Sequence, residues 1–280
     1  MSGVDRPAPL PADLDVLLAP AAAAVRWRPF FYPVASSTND LAARLADQGF
    51  GDGTLVLADQ QTSGRGRGGH TWYSPPGAGL YVSVIVRTVD GGDASAAAGW
   101  PRWLTLGAGV AAAEGLHAAS GLPVSIKWPN DLVMAPAGTV PGARKLGGIL
   151  AEGRADGGRL THVIVGVGIN VRRTAFPPEI SARATSLEDE LGREVERGPV
   201  LAALLGRLAT WLARLRTGDT AAVVDRWSAL AVGASGASVE WFAEDGARRG
   251  VTAGVDHDGA LLVRAGAFTE RLTAGEVTWL

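Results

Sequence analysis

The chain has 280 residues, of which 47% are hydrophobic and 19% are charged, and its formal net charge is -2. This composition is typical of a globular protein with one large domain, or a large and a small one, and it excludes large-scale disorder. The weak negative charge disfavours a protein that holds nucleic acid through phosphate contacts, and the absence of cysteine excludes disulfides, cysteine-ligated zinc and thiol catalysis.

The first 26 residues are predicted to be a loose extension. Residues 1–12 are rich in proline and alanine, and residues 13–25 could form a short helix with leucines on one side. This segment is too short for a winged-helix DNA-binding domain, and it lacks the apolar run of a signal peptide. No window approaches a membrane span. We therefore expect a cytoplasmic protein that binds neither DNA nor a membrane.

The next sixty residues or so alternate between predicted strands and one helix. Residues 28–34 have the pattern of a strand, and Ser37 with Asp40 three positions later is typical of a capping box at the start of a helix. Residues 54–58 form a short apolar run that predicts a buried strand. Residues 80–86 alternate with a period of two, which predicts another strand.

A glycine-rich loop, residues 59–74, joins the last two of these strands and reads DQQTSGRGRGGHTWYS. Four glycines surround Arg65 and Arg67, so the segment can build neither a core nor a helical face. An arginine guanidinium matches a phosphate or a carboxylate with two parallel hydrogen bonds. The loop is therefore predicted to close over an anion.

The second half of the chain is predicted to contain helices, a meander of strands and a final group of short strands. In order, the predicted elements are a linker at 90–99, a helix at 101–120, strands at 124–133, 146–152 and 160–171, and helices at 201–215 and 221–230. From about residue 231, short strands with turns at 244–246 and 257–259 predict a small β-barrel.

Lysine and asparagine are rare in this chain, and their positions are informative. The lysines are Lys127 and Lys145, and the asparagines are Asn39, Asn130 and Asn170. In the predicted meander, Asp131 and Lys145 fall near the same end of adjacent strands, with Asn170 at the open end of the next hairpin. A carboxylate can hold Mg²⁺, and ammonium groups can offset phosphate charge. The set therefore favours a nucleotide site.

Other motifs carry less information. The glycine loop is not a Walker loop, because no Lys-Ser/Thr follows it, and it is not a dinucleotide fingerprint, because it leads into a strand. Gly166-Val167-Gly168 indicates the end of a strand whose backbone is closely approached by another group, and this group could be a ligand. No Ser/His/Asp set stands out, and the four histidines lack metal-ligand spacing.

Four motifs, preceded by SSTND at 36–40, resemble those of biotin protein ligases. They are GRGRGGHTWYSP at 64–75, KWPNDL at 127–132, KLGGILAEG at 145–153 and GVGINV at 166–171. The resemblance covers nearly all of the chain after about Arg26. It implies an α+β fold: a class II synthetase-like mixed sheet with helices at 27–231, followed by a small SH3-like β-barrel at 232–280. This agrees with the order of elements predicted above.

The resemblance also implies an activity. Such a ligase activates biotin with Mg²⁺ and ATP as biotinyl-5'-AMP, and then transfers it to a lysine of a biotin carboxyl carrier domain of an acyl-CoA carboxylase. Relatives are monomers or homodimers, so a monomer or weak homodimer is expected. The lack of an N-terminal DNA-binding domain implies a ligase that is not also a repressor.

Site residues follow from the same resemblance. The catalytic residues implied are Lys145, Arg67 and Arg65. The biotin-binding residues implied are Ser37, Thr38, Asn39, Gln61, Gly64, Arg65, Arg67, Lys145, Gly147 and Gly148. The ATP-binding residues implied are Arg67, Trp72, Lys127, Asn130, Asp131, Lys145 and Asn170, with Asp131 also the metal-linked carboxylate. Two positions depart from the family pattern: His70 replaces a usual arginine, and Trp279-Leu280 ends the chain where many relatives have an arginine.

Three alternatives remain open on the sequence alone. A lipoate ligase forms a related acyl-adenylate, although GRGR before a tryptophan with KWPND favours biotin. A sensor of the same fold would bind biotin or a nucleotide without turnover. A nucleic-acid binder would use the RGRGG segment, and its affinity would fall with salt.

Overall fold

The computed structural model describes residues 5–14, 25–87, 100–136, 139–156, 159–174, 176–243, 246–273, 275 and 277–280. The predicted linker at 90–99 and most of the helix predicted at 13–25 lie outside these residues, as do parts of the turns predicted near 155–158 and 244–246. In the part of the chain that is described, no helix has the length and apolar character needed to cross a membrane.

A seven-stranded mixed sheet forms the larger part of the fold. Its strands are β1 (Arg28–Ala35), β2 (Thr54–Gln61), β3 (Gly79–Arg87), β4 (Ser125–Lys127), β5 (Asp131–Met134), β6 (Arg144–Asp156) and β7 (Arg159–Asn170). Their spatial order is β1-β2-β3-β7-β6-β5-β4. β1 and β2 are parallel, and every other neighbouring pair is antiparallel.

Helices cover both faces of this sheet. They are α1 (Thr38–Asp47), α2 (Trp100–Ser120), α3 (Pro178–Ser181), α4 (Leu187–Leu191), α5 (Arg197–Arg216) and α6 (Thr220–Leu230). On one face, Leu41 of α1 belongs to a core with Val56 and Ile85. On the other face, α2 and α5 contribute to a larger core. β3 is consequently buried along nearly its whole length, so its alternating pattern does not mark a solvent-exposed face.

A second, antiparallel sheet follows. Its strands are β8 (Ser235–Ala243), β9 (Gly246–Val255), β10 (Leu261–Ala265), β11 (Phe268–Leu272) and β12 (Val277–Trp279), in the order β11-β10-β9-β8-β12. The indole N–H of Trp128 donates to Gly259 O at 3.2 Å and links this sheet to the β4–β5 turn. The predicted α+β architecture, a mixed sheet with helices followed by a small all-β unit, is confirmed.

The single strand predicted at 124–133 is in fact two strands, so that prediction was wrong. β4 ends at Lys127 and β5 begins at Asp131, and the two pair across a turn of residues 128–130. The turn contains Pro129, which has no N–H to donate to a ladder, so strand pairing is interrupted there. As a result, Lys127 and Asp131 face each other as a cross-strand pair.

The N-terminal segment is packed where the structure describes it, which corrects the expectation of a loose extension. Asp5 forms an ion pair with Arg44 at 2.7 Å. Leu14 is only 2% exposed and belongs to the main core. Asp13 lies 2.8 Å from Nε of Arg197. Burial of one leucine and two ion pairs therefore attach this segment to the rest of the fold.

Two smaller differences concern α1 and β2. Ser37 is the N-cap of α1, but its side chain makes no capping hydrogen bond. Asp40 instead pairs with Arg65 at 2.6 Å, so the predicted capping box does not form. β2 extends to Gln61, beyond the end predicted at residue 58, and it delivers the Gln61 side chain to the start of the glycine loop.

Candidate active site

The glycine loop, predicted at residues 59–74, occupies residues 62–78 in the structure, where it joins β2 to β3 and is held by its own backbone. Trp72 N donates to Gly64 O at 2.8 Å, and Gly66 N donates to His70 O at 2.7 Å. A Cβ on Gly64 would lie 2.5 Å from Trp72 O, so the close approach of these chain segments requires glycine at that position. The loop lies between two neighbouring strands, as predicted.

Two lysines converge on one carboxylate at the end of the mixed sheet. Lys145 Nζ lies 2.6 Å from Asp131 Oδ1, and Lys127 Nζ lies 3.6 Å from Asp131 Oδ2. Lys127 Nζ is also 5.3 Å from the ring centroid of Trp279 in β12. The predicted convergence of Lys145 and Asp131 is confirmed, and two ammonium groups face a single carboxylate.

Arg67 adds a third cation to this cluster. It is half-buried, and within the described residues its guanidinium has neither a hydrogen bond nor an ion pair. Burial lowers the pKa of Arg67, and the charge of nearby Asp131 opposes this shift. A partly desolvated cation without a hydrogen-bonded partner is unfavourable. An anionic ligand in contact with Arg67 would remove this cost.

The Trp72 ring packs against the glycines of β6 and β7. Lys145 Nζ lies 5.4 Å from its ring centroid, and a Cβ on Gly168 would be 2.6 Å from the ring. A Cβ on Gly166 would likewise be 2.3 Å from Asn39 Oδ1. The groups that pack against the Gly166-Val167-Gly168 strand are therefore side chains of this protein. The Trp72 indole nitrogen is buried, and none of the described residues accepts a hydrogen bond from it.

Gly147 and Gly148 are also positions of close approach. A Cβ on Gly147 would lie 2.7 Å from Gly168 O, and one on Gly148 would lie 3.4 Å from Lys145 Cε and 3.6 Å from the Trp72 ring. A side chain at Gly148 would fill the space in which Lys145 and Trp72 meet, whereas one at Gly147 would meet Leu132 on the other face of the sheet.

Arg65 points to a different part of the site from Arg67. Its Nη1 lies 2.6 Å from Asp40 in α1, and its Nη2 lies 2.7 Å from Glu152 in β6. Both ends of the guanidinium are thus engaged by carboxylates of the protein. Direct contact of Arg65 with a ligand anion, as the resemblance implies, requires exchange of one of these partners.

Polar groups at the start of α1 meet the end of β2. Thr38 donates to Gln61 Oε1 from its backbone nitrogen at 2.9 Å and from its hydroxyl at 3.1 Å. Gln61 Nε2 donates to Ser74 Oγ at 2.9 Å. Ser37, the N-cap, is 2% exposed. The structure therefore brings together Ser37, Thr38 and Gln61, which are distant in sequence.

Asn39 continues this cluster into the sheet. Its Nδ2 donates to Glu152 Oε2 at 2.6 Å, and its Oδ1 accepts a hydrogen bond from Ser83 Oγ at 2.6 Å. Ser83 Oγ is also 2.8 Å from Thr38 Oγ1. Asn39 is 5% exposed and Ser83 is 0% exposed, so this network is internal.

The side chains of the other two asparagines, Asn130 and Asn170, donate hydrogen bonds to backbone carbonyls. Asn130 Nδ2 donates to Ile149 O at 2.7 Å, and Asn170 Nδ2 donates to Thr185 O at 3.0 Å. These bonds fix the β4–β5 turn against β6 and fix the end of β7. Both amide N–H₂ groups are therefore used within the protein at the border of the cationic cluster.

The site has one carboxylate suited to a metal that arrives with a ligand. In the described part of the chain, no three His, Cys, Asp or Glu side chains form a group that could hold a metal ion. Asp131 is a single carboxylate between two lysines. Mg²⁺ is commonly bound by one or two carboxylates together with substrate phosphates. The donor set thus fits Mg²⁺ carried by a nucleotide.

Sequence reasoning missed Glu152, Ser83 and Trp279. Glu152 stands in the KLGGILAEG motif. It lies four residues after Gly148 in β6, so the two residues are on the same face of the sheet. A carboxylate on the same strand face as a glycine of the motif could have been recognised from the sequence as a site residue. Ser83 and Trp279 gave none, because each lies in an ordinary strand pattern and approaches the site only through the tertiary fold.

The mixed sheet, the glycine loop and the cluster of three cations define a protein that binds an anionic small molecule at one end of a sheet. Residues 31–170 match the family model described as "Biotin/lipoate A/B protein ligase family". The chain belongs to this family.

Named relatives agree with this assignment. A biotin--[acetyl-CoA-carboxylase] ligase of Mycobacterium tuberculosis is 34% identical over 256 residues, covering 87% of this chain and 86% of the relative. The bifunctional ligase/repressor BirA of Bacillus subtilis is 32% identical over 249 residues, covering 88% of this chain and 72% of the relative. A solved structure of biotin protein ligase from Aquifex aeolicus with biotin and ATP has a TM-score of 0.73 and 26% identity, covering 90% of this chain and 98% of that chain.

Proposed function

We propose that this chain is an ATP-dependent biotin protein ligase that makes biotinyl-5'-AMP and transfers biotin to a lysine of a biotin carboxyl carrier domain. The observation that carries the proposal is the half-buried guanidinium of Arg67, which has no partner among the described residues and lies near Asp131, the carboxylate that Lys145 contacts. Family membership and the Aquifex relative, which binds biotin and ATP, support the identity of the two substrates.

In the first step, an oxygen of the biotin carboxylate attacks the α-phosphorus of ATP. A new P–O bond forms, the bond from the α-phosphorus to the bridging oxygen breaks, and pyrophosphate leaves. Both reactants are anionic, so the barrier is lowered chiefly by cations fixed where the charge gathers. Lys145 and Arg67 supply these cations, and Asp131 orients the Lys145 ammonium at 2.6 Å.

In the second step, the neutral amine of the acceptor lysine attacks the acyl carbon of the adenylate. The C–N bond forms, the C–O bond to the phosphate breaks, AMP leaves with the electron pair, and the amine loses a proton. This step needs no nucleophile from the ligase. It needs an anhydride kept from water until the acceptor arrives, which is the role we assign to the glycine loop.

The remaining residues bind and orient the substrates. In this proposal, Ser37, Thr38, Asn39 and Gln61 hold the ureido ring of biotin, and the backbone of Gly64 and of the Gly147-Gly148 region completes the slot. Trp72, Lys127, Asn130 and Asn170 border the nucleotide. Arg65 keeps the loop closed through Asp40 and Glu152. Asp131 would hold Mg²⁺ that enters on ATP, where the ion offsets charge on the phosphates.

The decisive experiment combines purified protein, ATP, Mg²⁺, biotin and a biotin carboxyl carrier domain, with transfer measured by avidin blot. We expect labelled carrier that depends on ATP and is lost in Lys145→Ala. No label on a carrier that a known ligase can biotinylate would refute the proposal. Biotin binding without turnover would instead indicate a sensor.

Titration calorimetry with biotin and with lipoate distinguishes the two substrates of this family. We expect biotin to give a heat of binding and lipoate to give none. Preferential binding of lipoate would reassign the substrate while preserving the adenylate chemistry. Salt-dependent binding of DNA or RNA that is lost in Arg65→Ala and Arg67→Ala would favour the nucleic-acid alternative.

A further inference from the structure

The Lys127 ammonium donates no hydrogen bond to any residue that the structure describes. Its Nζ lies 3.6 Å from Asp131 Oδ2, beyond hydrogen-bonding distance, whereas Lys145 Nζ lies 2.6 Å from the other oxygen of that carboxylate. A lysine ammonium on its flexible four-carbon stem samples many positions unless a second contact fixes it. For Lys127 this second contact is an aromatic ring, because its Nζ lies 5.3 Å from the ring centroid of Trp279.

Trp279 is itself fixed by the second sheet. It lies in β12 and pairs with Val239 of β8. Its indole N–H donates to Gly233 O at 3.2 Å, and a Cβ on Gly233 would lie 2.6 Å from the indole nitrogen. The ring therefore lies directly against the backbone of Gly233, and it is a fixed support for whatever rests on it.

The chain segment that holds this ring also holds the strand of Lys127. Val232, the neighbour of Gly233, donates from its backbone nitrogen to Ile126 O at 2.9 Å. Ile126 immediately precedes Lys127 in β4. One short stretch of backbone thus contacts both the start of the lysine side chain and the Trp279 ring on which its ammonium rests.

An aromatic ring can fix a cation without cancelling its charge. The face of an indole attracts an ammonium electrostatically but, unlike a carboxylate, carries no net charge. The ammonium N–H groups that point away from the ring can still donate to an anion. The same arrangement occurs at Lys145, whose Nζ lies 5.4 Å from the ring centroid of Trp72. Both lysines of this chain therefore lie beside a tryptophan.

We infer that Trp279 is a positioning residue that holds the Lys127 ammonium where the nucleotide phosphates bind, so that the second sheet contributes to the nucleotide site. The inference rests on the proposed function, in which Lys127 borders ATP. Trp279 acts through Lys127 and needs no contact with the nucleotide. A tryptophan that only packed the second sheet onto the core would have the same effect with or without Lys127.

Lysine-specific labelling tests the contact itself, because the chain has two lysines, Lys127 and Lys145. In whole protein labelled with ¹³C at lysine Cε, the ring current of a neighbouring tryptophan shifts the NMR signals of each side chain. We expect Trp279→Leu to move the signal that is missing in Lys127→Met and to leave the Lys145 signal in place. An unmoved Lys127 signal would overturn the inference, whatever the activity of the protein.

A double-mutant cycle tests the role of Trp279 in turnover. Pyrophosphate release measures adenylate formation in the wild type, Trp279→Leu, Lys127→Met and the double variant. We expect Trp279→Leu to lower kcat/KM for ATP about fivefold, as for the loss of one cation–π contact, and to change KM for biotin by less than about twofold. In the Lys127→Met background, the same substitution should change kcat/KM for ATP by less than about twofold.

Two further variants serve as controls. Trp279→Phe retains a ring face but loses the N–H that donates to Gly233 O, so kcat/KM for ATP should stay within about twofold of the wild type. This variant also preserves the test if Trp279→Leu folds poorly. Phe242→Leu removes an aromatic side chain that is 80% exposed on β8 of the same sheet, and it should leave kcat/KM for ATP unchanged.

An equal loss from Trp279→Leu in the wild-type and Lys127→Met backgrounds would overturn the inference, since the ring would then act through packing. A loss in Phe242→Leu equal to that in Trp279→Leu would also overturn it, because any change in the second sheet would then suffice. A wild type that releases no pyrophosphate refutes the proposed function, and the inference with it. A fully active wild type whose kcat/KM for ATP is unchanged in Trp279→Leu refutes only the role of Trp279.

Discussion

Two charge clusters in this protein differ in how far their arginines are paired, and Arg172, 3.3 Å from Asp13, lies at the border of the first. Around Arg197, one buried cation lies between two carboxylates: Nε is 2.8 Å from Asp13 and Nη1 is 2.7 Å from Asp59. Nη1 also donates to Gly79 O at 3.4 Å. Every edge of this guanidinium is used by the protein.

The cluster at the end of the mixed sheet is built the other way round. Lys127 and Lys145 share the one carboxylate of Asp131, and the half-buried guanidinium of Arg67 has no partner within the described residues. The excess of cations leaves this cluster incomplete without an anion. The comparison teaches that a satisfied arginine stabilises the fold, whereas an unsatisfied one indicates where a substrate binds.

The largest expected effect is on activity, at Lys145. Lys145→Ala removes the cation held 2.6 Å from Asp131. We expect the rate of adenylate formation to fall about 1,000-fold, or about 4 kcal/mol in transition-state stabilisation, with little change in melting temperature. Pyrophosphate release measures the rate. Lys127→Ala is the matched control, and because its contact with Asp131 is longer, at 3.6 Å, the loss should be smaller. Equal losses of rate in the two variants would show that the distance of each lysine from Asp131 does not determine its contribution to adenylate formation.

The second expected effect is on stability, at Arg197. Arg197→Met should lower the free energy of unfolding by about 3 kcal/mol, because Asp13 and Asp59 lose their shared partner. We place the loss at the low end for buried pairs, since the two carboxylate side chains are 29% and 28% exposed and can be hydrated. Urea unfolding gives the value. Arg214→Met, which breaks an exposed ion pair with Asp219, should change the free energy of unfolding by less than about 1 kcal/mol.

The two clusters also differ in how far the sequence predicts them. The cluster at the sheet end was predictable in part, because Asp131 of KWPND and Lys145 of KLGG fall near the same end of adjacent predicted strands. The Arg197 cluster was not, because Asp13, Asp59 and Arg197 are far apart in the chain and no motif links them. Periodicity reports which face of an element is apolar, and it carries no information on which distant elements meet.

The same limit explains the errors within the site. The pattern at 124–133 is apolar enough for one strand, and only the sheet pairing reveals the turn at Pro129. Arg65 and Arg67 are equivalent in the sequence, yet Arg65 is bound by Asp40 and Glu152, whereas Arg67 has no partner in the part of the chain that the structure describes. That difference depends on the curvature of the glycine loop, which the sequence does not specify.

The third prediction sharpens the contrast between paired and unpaired arginines. Arg67→Lys keeps the charge but replaces a planar two-bond fork with a single ammonium. We expect about a tenfold loss in the rate of adenylate formation, or about 1.4 kcal/mol, and an unchanged free energy of unfolding. Single-turnover kinetics with saturating ATP and biotin measure the rate. A loss of stability would mean that the Arg67 guanidinium has a structural partner after all.

The smallest expected effect is a pH dependence at Asp13. The hydrogen bond from Arg197 is the main cause that lowers the pKa of the Asp13 carboxyl below its usual 3.8. The unfolded chain therefore binds this proton first as the pH falls. The stability that the carboxylate contributes is fully present above about pH 4 and is lost as the pH drops through the lowered folded-state pKa.

Asp13→Asn should consequently reduce the free energy of unfolding by about 1 to 2 kcal/mol at pH 6, and by much less near pH 2.5. Urea unfolding across this range measures the difference between wild type and variant. Asp219→Asn, in the exposed pair with Arg214, is the control and should show a smaller difference throughout. A difference for Asp13→Asn that stays constant with pH would show that the Asp13 side chain contributes through its shape and not through its charge. The Arg197 cluster would then owe its stability to packing, and the contrast between a charge-satisfied and a charge-unsatisfied cluster would fail on its structural side.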